Sequence, residues 1–180
     1  MKNDGDKYEI LAMEQLKLEP FGSGRRSNKY IHDATLGEYK FELKSCCGKS
    51  GKISTGRDVS HKKLEAWRSV DWIFSIRDGE EIKEHILVTK CRMEELFSKI
   101  QQKIEDPGHK SKFAGTNQIP ALKSTLLANG WSEIMVNKIC NTYERGTRLN
   151  DPRLSLEDVR RLGKVVTSSE DIERIKANES

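Results

Sequence analysis

The run Asp71 to Arg77, with Trp-Ile-Phe-Ser-Ile inside it, constrains this chain more than any other segment. An apolar stretch rich in aromatic and β-branched residues, closed by the turn dipeptide Asp78-Gly79, reads as a buried strand. Ile82 to Thr89 follows the turn as the strand that pairs with it. The rest of the chain has to be organised around that pair.

Before it, residues 6 to 18 place Ile10, Leu11, Met13 and Leu16 at helical spacing, and Pro20 closes the segment. Lys29 to Asp33 and Tyr39 to Ser45 read as two short strands around a turn at Leu36-Gly37. Gly48 to Gly51 is a loop by its Gly, Ser and Lys content. Ser60 to Arg68 has a serine start and a Leu64/Trp67 apolar edge, which predicts a helix. After the strand pair, Met93 to Ile104 carries Leu96, Phe97 and Ile100 on one helical face and stops at Pro107-Gly108. From Ile119 the segments become short helices. Ser155-Leu156-Glu157-Asp158 and Ser168-Ser169-Glu170-Asp171 both have the capping-box form, with Gly163 between them as a stop. The fold class is therefore α/β (α+β): a mixed central sheet flanked by helices over residues 1–130, then a helical C-terminal extension over residues 131–180. Met135, Val136, Ile139, Cys140 and Tyr143 form one apolar stripe of that extension, and Leu156, Val159 and Leu162 another. Such stripes belong to a core or to a subunit interface, and the interface is the expectation here.

Charged residues make up 33% of the chain and hydrophobic ones 35%, the balance of a soluble protein with a heavily charged surface. No apolar run approaches the ~20 residues a membrane span needs. Met1 to Asp6 is polar and acidic, unlike a signal peptide, so the expected location is the cytoplasm of a prokaryote. Cys46 and Cys47 are adjacent, Cys91 and Cys140 stand alone, and no C-x-x-C pair offers a structural zinc site. Free thiols in a reducing compartment fit that pattern. The net charge is +4, but residues 24 to 63 hold ten Lys or Arg against four Asp or Glu. A concentrated basic segment is the footprint of a polyanion partner.

Inside that basic segment, Asp33 is followed nine residues later by Glu42-Leu43-Lys44. Residues two apart on a strand share a face, so Glu42 and Lys44 project together while Leu43 turns toward the core. Pairing across the Gly37 turn would bring Asp33 beside Glu42. Phosphodiester hydrolysis uses such a group. Two carboxylates hold a hard cation such as Mg²⁺, with the Leu43 carbonyl as a further oxygen donor. The cation polarises the phosphorus centre, and the lysine orients or deprotonates the attacking water and stabilises developing charge. An isolated E-x-K, however, is common, and on its own equally describes an exposed strand face with alternating charges. Arg25 and Arg26 precede the first of these strands as candidate phosphate clamps. No G-x-x-x-x-G-K-[ST] loop occurs, so no nucleotide cofactor is expected.

The run "HDATLGEYKFELKS" resembles the PD-(D/E)xK type II restriction endonucleases, PvuII in particular, with Asp33, Glu42 and Lys44 in the catalytic positions. Two further blocks follow in the same order: "STGRDVSHKKLEAWRSVDWIFSIRDG" and "GHKSKFAGTNQIPALKSTLLANG". The likeness covers roughly residues 24 to 130. It implies a restriction-endonuclease-like core and a homodimeric, Mg²⁺-dependent enzyme that hydrolyses double-stranded DNA at a short palindrome. It places Ser54, Thr55, Gly56, Arg57 and Asp58 in the DNA-reading segment, where the relative carries three consecutive histidines. Arg57 suits guanine N7 and O6, and Asp58 suits cytosine N4, so a different recognition sequence follows. A surface Arg-Asp ion pair is the competing reading of those two residues. His109, Lys110 and Lys112 fall in a basic block that would touch phosphates. A tyrosine near the relative's metal site falls at Trp67, which reads better as a core aromatic. Two rivals share these features: a repair nickase or junction resolvase with the same core, and a DNA-binding protein that has lost catalysis.

Overall fold

The computed structural model of the chain describes residues 4–21, 33–56, 59–105, 119–144 and 152–179. In order, the first elements are α1 (Asp4–Leu16), β1 (Glu19–Pro20), β2 (Ala34–Leu36), β3 (Tyr39–Cys47) and β4 (Lys52–Ile53). A 3₁₀ turn at Gly48–Ser50 lies between the last two. Then come α2 (His61–Trp67), β5 (Asp71–Asp78), β6 (Glu81–Val88), α3 (Lys90–Glu105), α4 (Ile119–Ala128) and α5 (Glu133–Glu144). The chain finishes with β7 (Leu154–Ser155), α6 (Leu156–Leu162), β8 (Lys164–Val166) and α7 (Ser169–Ala177). These elements form two compact units. One draws on Met1–Thr55, Glu65–Leu96 and Arg153–Ser180, the other on Gly56–Leu64 and Phe97–Pro152.

The first unit is built on a six-stranded mixed sheet in the order β1-β2-β3-β5-β6-β8. The apolar run that dominates the sequence is β5, and it is buried from Asp71 through Ile76. It has neighbours on both edges: β3 runs parallel to it from Phe41↔Asp71 to Cys47↔Arg77, and β6 is antiparallel. A parallel pair needs a long crossover, which residues 48–70 supply. At β2–β3 the turn is tight, and Gly37 adopts φ +56°, a conformation that costs glycine little.

Phe41, Leu43, Ile73, Leu87 and Val166 from the strands join Leu16, Leu18, Ile172 and Ile175 in one buried cluster. Trp72 is also fully buried, edge-on to Trp67 at 5.2 Å and stacked on Phe74 at 5.8 Å. Each such side chain contributes about 1.5–3 kcal/mol by leaving water. Of the expected apolar face of α1, Leu16 is fully buried and Leu11 and Met13 pack partly buried against the core clusters, with Tyr8 and Ala12 added to them. Tyr8, Ala12 and Leu16 are inside, four residues apart, while Ile10 is half exposed. Tyr8 and Ala12 pack on Ile82 of β6. A polar column also ties this helix down: His85 of β6 bonds Gln15 Oε1 at 2.9 Å and Ser75 Oγ at 2.9 Å.

The sequence separates residues 131–180 from the sheet as a helical extension. In the structure Arg153–Ser180 belongs to the sheet unit. β8 pairs antiparallel with β6, from His85↔Val166 to Leu87↔Lys164, and β7 pairs with β4. Both serine caps form, Ser155 Oγ accepting from Asp158 N at 3.4 Å and Ser168 Oγ from Asp171 N at 3.3 Å. Leu156 and Val159 are buried within the chain, so these two residues of the stripe pack on the core, one of the two places open to it. Gly163 allows the tight passage from α6 to β8. A methyl group there would stand 2.2 Å from Ile86 Cγ2 and 2.8 Å from the Val159 carbonyl oxygen.

The second unit contains α4, α5 and the adjoining parts of α2 and α3. Val136 and Cys140, one turn apart on α5, are buried, whereas Met135 and Trp131 are exposed. Among the described residues no helix is long and apolar enough to cross a membrane. Cys46, Cys47, Cys91 and Cys140 form no disulfide.

Candidate active site

The two-residue period of β3 sets the geometry of the site. Glu42 and Lys44 project from the same side, and their side chains meet with Lys44 Nζ 2.6 Å from Glu42 Oε1. Leu43 between them is buried in the main apolar cluster, so its carbonyl is free to accept from Lys44 Nζ at 2.7 Å. Glu42 is only 8% exposed, a burial a carboxylate tolerates when paired and hydrogen-bonded.

Asp33 reaches this point from the end of the strand expected over Lys29 to Asp33, of which residues 29–32 lie outside the described residues. It sits one residue before β2, its N–H donating to the Phe41 carbonyl at 2.8 Å and its carbonyl accepting from Phe21 N at 3.0 Å. With the backbone held on both sides, the carboxylate lies over β3. Its Oδ2 accepts the Leu43 N–H at 2.8 Å and stands 3.8 Å from Lys44 Nζ. Asp33, Glu42 and Lys44 therefore converge, as the Gly37 turn and the strand period require.

A third carboxylate joins them that the sequence pattern does not reveal. Glu9 Oε1, from α1, is 3.9 Å from Lys44 Nζ. It lies 24 residues before Asp33 and in no motif. Only the packing of α1 against β3 brings it near. Burial alone would push the Lys44 pKa down, but the carboxylates of Glu42, Asp33 and Glu9 outweigh it and hold the amine well above its usual range. Lys44 is an ammonium in this arrangement.

The donor set suits a hard divalent cation. Asp33 and Glu42 carboxylates and the Leu43 carbonyl are all oxygen donors gathered about the same ammonium. Mg²⁺ accepts one or two carboxylates and fills its remaining positions with water and phosphate oxygens. No group of three or more His, Cys, Asp or Glu placed to hold a metal occurs among the described residues.

The other residues singled out by the sequence are distributed differently. Ser54 is exposed, Thr55 is buried at 2%, and Gly56 takes φ +145°. Ser54 thus keeps its side chain open to solvent while the Thr55 hydroxyl is enclosed. Arg25, Arg26, Arg57, Asp58, His109, Lys110 and Lys112 lie outside the described residues. Trp67 is buried, and its carbonyl accepts from Trp72 Nε1 at 3.4 Å, which makes it a core aromatic.

Compared with curated proteins, the chain matches none. Compared with protein families, residues 2–120 match the model described as restriction endonuclease PvuII. That span takes in α1, the convergent point on β3 and the central strands, and it exceeds half of the chain. With this match over the elements that gather Asp33, Glu42 and Lys44, the chain belongs to the PvuII family of restriction endonucleases, and so is a nuclease.

Proposed function

We propose that this protein is a type II restriction endonuclease that hydrolyses both strands of double-stranded DNA at a short palindromic site, with Mg²⁺ as cofactor. The observation that carries the proposal is the meeting of Asp33, Glu42 and the Leu43 carbonyl around Lys44 Nζ, all within 4 Å of it. Asp33 and Glu42, with the Leu43 carbonyl, would hold the cation. When bound, Mg²⁺ supplies a Lewis acid for the scissile phosphate and lowers the pKa of an attacking water. Lys44, positively charged here, orients that water and offsets the negative charge that grows on the phosphate oxygens.

Sequence reading would fall to the segment Ser54, Thr55, Gly56, Arg57 and Asp58. Arg57 is assigned to guanine and Asp58 to cytosine N4. Thr55, with its hydroxyl enclosed, would contribute through its backbone. Arg25, Arg26, His109, Lys110 and Lys112 would contact phosphates and set register. A palindrome implies a homodimer whose two-fold axis matches that of the DNA.

Digestion of a long, sequenced duplex with and without Mg²⁺, alongside Asp33→Ala, tests the reading. The expected result is discrete fragments that need Mg²⁺ and vanish in the variant. Cutting only at flaps, mismatches or junctions would move the same residues to a repair or resolvase activity. No cutting of any DNA would overturn the catalytic reading.

A further inference from the structure

A second concentration of charge lies where α3 begins. The start of that helix, Thr89, Lys90 and Cys91, lines a cavity of about 500 Å³. Lys40 of β3 and Lys176 of α7 stand on its wall as well. The family match ends at residue 120, so α7 brings to this cavity residues that the match does not cover.

Most of the carboxylates on the wall are already engaged. Asp71 accepts Lys176 Nζ on one oxygen and the Lys90 N–H on the other, each at 2.7 Å. Glu179 lies 3.3 Å from Arg92 Nε and 3.9 Å from Lys164 Nζ. What is left is two ammoniums, Lys40 and Lys90, against the carboxylate of Glu38. Among the described residues, neither of these lysines makes an ion pair. Thr89 adds the observation that points to a ligand. It is 3% exposed, and its hydroxyl has no hydrogen-bond partner. Orphaned buried hydroxyls are uncommon in folded proteins and call for an explanation. Only the carbonyl of Thr89 serves the helix, accepting from Arg92 N and Met93 N at 2.9 Å.

We propose that this cavity binds a phosphate group, held by the Lys40 and Lys90 ammoniums at the start of α3 and by the Thr89 hydroxyl after rotation about its χ1. Ammoniums and a helix N-terminus both favour an anion, and a tetrahedral oxyanion has oxygens enough to meet all three donors. The group has two possible sources. One is a DNA strand passing the catalytic residues, because Lys40 lies only two residues, about 7 Å, before Glu42 along β3. The other is free phosphate.

Amide NMR of the full chain, titrated with orthophosphate against chloride at matched ionic strength, tests the site without relying on cleavage. Phosphate should give saturable shifts at Lys40, Thr89, Lys90 and Cys91 that chloride does not. Lys40→Ala and Lys90→Ala should each weaken phosphate about fivefold. Lys103→Ala, in the last turn of the same helix, should change it by less than about twofold. Thr89→Val should weaken it about threefold without lowering the thermal midpoint, because no native hydrogen bond is lost. Absence of saturable shifts would overturn the proposal. Equal weakening by Lys103→Ala would overturn it too, by reducing the effect to general charge. A DNA duplex then separates the sources. If the phosphate belongs to DNA, each of the two lysine variants lowers the slope of log affinity against log salt by about one, and orthophosphate competes with the duplex. If affinity for the duplex is unchanged while phosphate still binds, the site takes free phosphate. Both results keep the site, and failure of the chain to cut DNA leaves the phosphate titration unaffected.

Discussion

The sheet has two contrasting ends. At β2–β3, one ammonium faces three carboxylates: Asp33, Glu42 and Glu9 lie within 4 Å of Lys44 Nζ. Toward β8, charges are distributed among partners on the surface while the interior is apolar. Arg160 pairs with Glu84, Arg161 with Glu95 and Asp158, and Arg174 with Asp171. Beneath them lie Val166, Ile172 and Ile175. Gathering like charges in a partly buried site costs stability, and proteins retain such clusters for function. The same sheet thus gathers the candidate catalytic residues at one end and anchors itself at the other. Substitutions at the two ends should therefore fail in different ways.

The largest effect is expected at β3. Glu42→Gln keeps the shape of the side chain but removes a charged oxygen donor. Cleavage of duplex DNA should drop by about a thousandfold or more, because losing a cation ligand forfeits several kcal/mol of transition-state stabilisation. Its thermal midpoint should hold or rise, since two carboxylates still face Lys44. A variant that loses activity only because it unfolds would break the comparison, and a melting curve beside the digestion separates the two outcomes.

A charge pair placed for structure should behave in the opposite manner. Asp71 opens β5, buried at 4%, with its carboxylate on Lys176 Nζ at 2.7 Å and on the Lys90 N–H at 2.7 Å. Lys176 also lies over the Tyr39 ring, 5.4 Å from its centroid. Asp71→Ala leaves a largely buried ammonium and a helix-start amide without their acceptor. The expected cost is about 3–5 kcal/mol in urea unfolding, with cleavage retained wherever the protein remains folded. Gly163→Ala should cost less, about 1–3 kcal/mol, as an overpacked core position does. Its methyl would press on a backbone carbonyl at 2.8 Å as well as on the more adaptable Ile86. Guanidinium unfolding measures it, and a neutral result would mean that α6 and β8 move apart freely.

The contrast also explains what the sequence disclosed. Long elements with a clear period were legible: β3, β5 and β6 by strand patterning, α3 by its apolar face, α6 and α7 by their serine caps. The triad on β3 was legible because a strand's two-residue period and one tight turn are enough to bring Asp33, Glu42 and Lys44 together. The β8 end was not. β8 has three residues and β7 two, too few to show a period, and they are strands because β6 and β4 offer them partners. Glu9 was illegible for a related reason. It lies in no motif, and a residue on a helix is brought to a strand by packing between elements, which no local period in the sequence shows.

The smallest predicted effect tests the column that holds α1 in that register. His85 is buried between Ser75 and Gln15, both uncharged partners. Burial lowers its pKa from the usual value near 6.5, because no neighbouring acid in the column offsets the cost of charging it. In the unfolded chain the imidazole takes up a proton first as pH falls. The stability contributed by neutral His85 is therefore complete above the unfolded value and is lost as pH falls through about 6.5 toward the folded one. Urea unfolding between pH 8 and pH 5.5 should show stability declining on the acid side, and His85→Gln should flatten that decline. If the column secures α1, the same acid range should loosen that helix before the rest of the sheet responds. Amide exchange would then rise in α1 ahead of β5. Equal exchange in both would place α1 and the sheet in a single cooperative unit, and remove the distinction between the two ends at that helix.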